Sequence, residues 1–208
     1  MPRRRHYGAG DKGTPALPNP ACGGGNMEGM CMDGGTPREI VLPQLGEIVI
    51  TEFMANPALV ADADGEWLEL RALASFDLNG LELGKTFGTP LQTLAAPECL
   101  AVVAGETILL AVEADPMLNG GLPPVDFELG FGLNNSNSGL FVGVDGMLLD
   151  ELTYTAVSNN GASTSLDPDF YDPAQNDMAA NGMTWCYAGT AYGLGDKGTP
   201  DAENQQCG

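Results

Sequence analysis

The chain has 208 residues, 43% of them hydrophobic, with 28 acidic side chains against 8 basic ones and a net charge of −20. Such a field repels phosphate backbones and anionic lipids, which excludes nucleic acid as a partner, and no apolar run of about 18 residues exists to insert into a membrane. His6 is the sole histidine, so a Ser-His-Asp or Cys-His centre would have to draw on the sixth residue, and a zinc site built on imidazoles is excluded by counting.

The first segment of the chain returns at its end. Tyr7 to Gly23 aligns with Tyr192 to Gly208 at a constant offset of 185, and 11 of the 17 aligned positions are identical. Both copies contain Tyr-Gly-x-Gly-Asp-Lys-Gly-Thr-Pro, then six residues, then Cys-Gly. An unbroken register of this length marks a repeat unit. Residues 1–23 are therefore expected to be the C-terminal piece of a preceding repeat. Residues 24–45 are expected to be a flexible linker, because glycines and prolines (Gly24, Gly25, Gly34, Gly35, Pro37, Pro43) punctuate them and no apolar periodicity offsets the cost of ordering. The domain itself is expected over residues 46–207. Met1-Pro-Arg-Arg-Arg5 leads into no apolar signal-peptide core, which fits a segment of a longer tandem-domain protein.

The five cysteines form no Cys-x-x-Cys pair. Wide spacing in an acidic, lysine-poor chain suits disulfides in an oxidising space, with buried free thiols as the alternative. In the repeat register Met1 stands where the second copy has Cys186. Pairing of Cys186 with Cys207 then leaves Cys22 without its counterpart, which accounts for the odd number. Cys31 and Cys99 become the second candidate pair, although four cysteines allow three connectivities.

From Gly46 onward the pattern is that of strands. Glu47 to Met54 is β-rich, Leu68 and Leu70 alternate with Glu69, and Leu81 and Leu83 flank Glu82. Cys99 to Val103 and Thr107 to Val112 are short apolar runs, and the segment 99–114 is the one place where a helix could intrude. Leu140, Val142 and Val144 alternate, the Asp145-Gly146 turn follows, and Leu148 to Tyr154 continues. Thr184 to Tyr187 is a last short strand. Each run is too short for a stable helix, and Asn-Gly pairs at 79, 119, 160 and 181 supply turns. The expectation is an all-β, two-sheet antiparallel β-sandwich.

Three segments in order resemble the opening of a lamin tail domain: Ile50-Thr-Glu-Phe-Met-Ala-Asn-Pro57, Asp64-Gly-Glu-Trp-Leu-Glu-Leu70 and Asp77-Leu-Asn-Gly-Leu-Glu-Leu83. Asn135-Ser-Asn-Ser-Gly-Leu-Phe-Val142 and Leu149-Asp-Glu-Leu-Thr-Tyr154 resemble its second half. The likeness covers residues 46–156 and weakens toward 207. It implies an immunoglobulin-like β-sandwich of the kind found as accessory modules of secreted or surface proteins. Arg71 stands where the family commonly has Asn, and the acidic charge opposes the chromatin contacts of the basic family members.

The chemistry worth weighing lies in carboxylates. Asn56, Asp62, Asp64 and Glu66 share one inter-strand loop and form a candidate calcium site, since hard cations want several oxygens. Asp167, Asp169, Asp172 and Asp177 share another. The competing reading is solvated acidic loops closed by Asx turns. Trp67 and Trp185 read as core, and the Gly-Asp-Lys-Gly-Thr-Pro loop as a structural turn rather than a phosphate cradle, because no Gly-Lys-Ser/Thr or helix follows. Ser163, Thr164 and Ser165 lack a histidine partner in the domain. The expected function is a non-catalytic extracellular or cell-surface interaction module, binding protein or glycan of the envelope and neighbouring repeats of its own chain through loops 55–66, 115–126 and 156–180. The alternative is a metal-dependent hydrolase or its accessory substrate-binding domain.

Overall fold

The computed structural model describes residues 29–157, 160–177 and 183–208. The repeat copy at 1–23, with His6 and Cys22, lies outside them, as do residues 24–28 and the Asn181-Gly182 turn. The described chain is nearly all β-structure. Its helical content is a single turn, α1 (Asp62–Gly65), and a 3-10 turn at Pro168–Phe170.

Strands β1 (Met30–Asp33) and β2 (Thr36–Glu39) pair as an antiparallel hairpin. The main sheet has six strands, β3 (Ile48–Met54), β4 (Trp67–Ala72), β9 (Thr107–Ala111), β10 (Phe127–Glu128), β13 (Thr164–Leu166) and β14 (Trp185–Tyr187). Their spatial order is β10-β9-β4-β3-β13-β14, and only β10 runs parallel to its neighbour. A four-stranded sheet orders β12 (Met147–Ala156), β11 (Ser136–Val144), β6 (Leu81–Gly84) and β7 (Gln92–Thr93) as β12-β11-β6-β7, all antiparallel. β5 (Phe76–Asp77) and β8 (Ala101–Val102) make a small separate pair. Asp145 and Gly146, both at positive φ, close β11 onto β12 as a two-residue turn of the twist that antiparallel strands favour.

One core joins the two large sheets. Ile50, Phe53, Leu68 and Leu70 from the main sheet meet Leu81, Leu83, Leu140, Val142 and Leu152 from the other. A second, smaller cluster of Met54, Trp67, Leu109, Ala111 and Leu122 includes neighbours of these residues on the same strands. β3 is therefore buried along its whole length, which is what a strand paired on both edges and covered on both faces requires.

Three expectations differ from what is found. Within the expected linker, residues 29–45 hold the β1–β2 hairpin rather than a flexible tether. A disulfide joins Cys31 to Cys99, and the Arg38 guanidinium makes two bonds, 2.6 and 2.7 Å, to the buried Asp77 carboxylate. The hold comes from distant residues: the Cys31–Cys99 pair was a candidate from the cysteines, whereas the Arg38–Asp77 contact left no sign in local composition. The segment 99–114 contains no helix but β8 and β9. Loop 156–180 contains β13, whose three residues are all buried in the main sheet.

Arg38, with the Val41 amide, keeps Asp77 ionised and holds its carboxyl below the usual range. Arg38→Ala is expected to lower the melting temperature by on the order of 5 °C, because a buried carboxylate loses its cation. Arg38→Lys should recover only part of this, since an ammonium cannot make the paired contact. A calorimetric scan of the three proteins checks both statements.

Candidate functional site

The main sheet brings two glutamates face to face. Glu52 on β3 stands directly opposite Glu69 on β4, and the two are 0% and 1% exposed. A carboxylate at such depth needs donors or a proton. Glu52 accepts from the Ser163 hydroxyl, from the Thr199 amide at 3.0 Å and from the Thr199 hydroxyl at 2.7 Å. Glu69 accepts from the Thr51 hydroxyl and from the Asp201 amide, both at 2.8 Å. Desolvation raises the pKa of both, and for Glu69 the neighbouring Glu52 adds to the rise. Glu52 has the richer donor set, which opposes its rise, while Glu69 is raised well above the ordinary carboxylate value.

The segment that covers the pair is residues 192–208, the second copy of the sequence repeat. We call it the clasp. Tyr192 places its ring edge-on to Trp67 and its hydroxyl accepts from Trp67 Nε1 at 3.0 Å. The Asp196 carboxylate accepts from the amides of Ala58 and Leu59. Gly198 passes so close to Trp67 that a Cβ there would sit 2.9 Å from the indole. Asn204 donates to the carbonyls of Thr51 and Leu166, and the Cys207 amide to Asp167. A disulfide from Cys207 to Cys186 on β14 closes the end. The Gly-Asp-Lys-Gly-Thr-Pro loop thus serves as a turn that seals the glutamates from water.

Two further carboxylates are buried. Asp150 takes the Ile50 amide at 2.6 Å and Asn176 Nδ2 at 2.8 Å on one oxygen, while its other oxygen has no hydrogen-bond partner among the described residues. Desolvation pushes it up to about 7. It lines a recess of about 340 Å³ together with Leu45, Leu149, Asp172 and Asp177. The Trp185 indole N–H donates to the Asn176 backbone carbonyl, so this aspartate and asparagine tie β3, β12 and β14 together. Glu66 turns inward to accept the Leu133 amide at 2.7 Å, and burial pushes it up to about 7 as well.

The expected calcium ligands are not gathered around one point. Asp62 and Asp64 lie in α1, with Asp62 exposed and bonded to Asn135, whereas Glu66 faces inward and Asn56 contributes its backbone carbonyl to Gly161. Among the described residues, one group of three potential ligands converges, Cys31, Asp77 and Cys99, and its two sulfurs are joined as a disulfide. In the other acidic loop, Asp167 accepts the Asp169 amide and Asp172 the Ala174 amide, which are Asx-type turns. An open groove of about 620 Å³ runs along β11 and β12 beside Lys85, Phe87, Asn134, Ser138, Tyr154 and Thr155. It lies outside the three loops expected to carry binding.

Sequence reasoning missed Glu52, Glu69 and Asp150. Their signal was an acid inside a run of buried neighbours, and it needed the covering segment to be interpretable. No protein-family model, curated protein or solved structure matches the chain. Among the described residues no helix is long and apolar enough to cross a membrane. The two disulfides suit an oxidising environment.

Proposed function

We propose that the chain is a non-catalytic module of a tandem-domain protein exposed outside the cell or on its surface. In this reading it is an immunoglobulin-like sandwich of the lamin-tail type, and its partners are envelope proteins or glycans and neighbouring repeats. One observation carries the proposal. The deeply buried carboxylates, the residues best suited to acid–base chemistry, are bonded by the chain's own amides and hydroxyls, and the clasp stands between the Glu52–Glu69 pair and any substrate. An open groove presents asparagine, serine and threonine side chains beside Phe87 and Tyr154, which suits a partner with both polar and apolar groups.

The test is an activity panel on the full chain with esterase, phosphatase, nuclease and glycosidase substrates and added divalent metals. No turnover is expected. Turnover that vanishes in Asp62→Ala, Asp64→Ala or Asp167→Ala with the fold intact would replace the module reading with the hydrolase.

A further inference from the structure

The two copies of the repeat differ at six of their 17 positions, which in the second copy are Leu194, Asp201, Ala202, Glu203, Gln205 and Gln206. Five of these are exposed and Gln205 is half-buried. Asp201 reaches Glu69 through its backbone amide, which the alanine at position 16 also offers.

The shared positions make most of the docking bonds; of the differing ones, Gln205 bonds the Gly189 amide and the Tyr187 carbonyl at the outer end of the clasp. Tyr192, Asp196, Thr199 and Asn204 make the side-chain bonds to Trp67, to the Ala58 and Leu59 amides, to Glu52 and to the Thr51 and Leu166 carbonyls. Their counterparts are Tyr7, Asp11, Thr14 and Asn19. Gly8 and Gly13 match Gly193 and Gly198, where a side chain would strike Gly120 and Trp67. Pro15 matches the buried Pro200. A spacer has no reason to keep the side chains that fit a cradle while its exposed ones change.

We propose that residues 7–23 are a second clasp, and that its partner is a cradle like that of β3 and β4, with a Glu52-Glu69 pair and a Trp67, on another copy of this domain. The proposal rests on the tandem-module reading above. The chain's own cradle is filled by residues 192–208 and closed by a disulfide, so the cradle meant for residues 7–23 has to be another copy's. A tethered clasp acts at an effective concentration near the millimolar range. A clasp from outside therefore wins only where the resident one is weakened.

Two experiments test this. In the first, the full chain carries Leu194→Ala, Asp201→Ala, Ala202→Leu, Glu203→Pro, Gln205→Pro and Gln206→Ala, which writes the first copy's sequence into the place of the second. The melting temperature is expected to stay within about 4 °C and the Cys186–Cys207 disulfide to survive peptide mapping. A fall of more than about 10 °C, or loss of that disulfide, overturns the proposal. In the second, a labelled peptide of residues 7–23 with Cys22→Ser is titrated against a full chain carrying Thr199→Val and Asn204→Ala, with Thr14→Val and Asn19→Ala to silence its own first copy. Saturable binding is expected, weaker by about tenfold or more for a peptide with Thr14→Val and Asn19→Ala and for the wild-type chain. Absent binding, or equal binding by both peptides, overturns the proposal. If the weakened chain melts below the assay temperature, the first experiment decides alone. Turnover in the activity panel would sink the module reading and leave these results standing, so the two failures are distinguishable.

Discussion

Reduction of both disulfides is expected to unfold the domain at 37 °C. The Cys31–Cys99 bond spans 68 residues and the Cys186–Cys207 bond 21. The chain-entropy model assigns them about 4 and about 3 kcal/mol respectively. Together these match the whole stability of an ordinary domain, about 5–15 kcal/mol. Each bond also fixes an element with little apolar burial of its own. The β1–β2 hairpin is otherwise held by Arg38 and by backbone bonds of Met32 with Pro97 and Cys99, and the end of the clasp by Asp167, Asn204 and Gln205. Far-UV circular dichroism against temperature, with and without a phosphine reductant, measures the effect. A melting temperature that moves by less than about 5 °C on full reduction would contradict it.

The protein is expected to be more stable at pH 5 than at pH 8, by on the order of 10 °C in melting temperature. Burial raises Glu52, Glu69, Glu66, Asp126 and Asp150, with Glu66 and Asp150 pushed up to about 7. Between the ordinary carboxylate pKa and the raised one, the folded state holds a proton that the unfolded state has lost. Stability therefore falls as pH climbs, and for Glu66 and Asp150 the loss is complete a little above pH 7. Asp77 acts in the opposite sense, and its contribution disappears only as acid protonates it below the ordinary range. Asp150→Asn should flatten the upper part of the profile. The asparagine carbonyl can accept the Ile50 and Asn176 bonds, and its amide takes the place of the oxygen that has no partner among the described residues. A wild-type protein more stable at pH 8 than at pH 5 would show that these carboxylates are solvated.

The strands that alternate were legible in the sequence. Leu68 and Leu70, Leu81 and Leu83, and Leu140, Val142 and Val144 each lie in a strand with an inward apolar face. Elements held by distant partners were not. Met30 to Glu39 has no period; the candidate Cys31–Cys99 pair tied it to a distant residue, but the hairpin itself and the Arg38–Asp77 contact gave no local signal. Thr164-Ser165-Leu166 looks like loop because it is polar, yet Thr164 and Ser165 are buried in pairing with β3 and β14. The repeat pointed to residues 192–208, but their role needed Glu52 and Glu69, more than 120 residues earlier, to be seen beneath them. The loop of Asn56, Asp62, Asp64 and Glu66 shows the converse. Closeness in sequence does not bring ligands together when a single helical turn points some outward and the next strand points one in.

The two cross-links also govern how the domain would respond to a mechanical load. A pull between residues 31 and 207 passes through the sulfur bonds, so the stretches they bridge are bypassed and do not lengthen. Only the 87 residues from Cys99 to Cys186 (186 − 99 = 87) can pay out as contour, roughly 300 Å when fully extended. The hairpin and the clasp lie at the two ends of that path, inside the shielded stretches. In a string of such domains the attachment points would hold their shape while the middle of each unit yields.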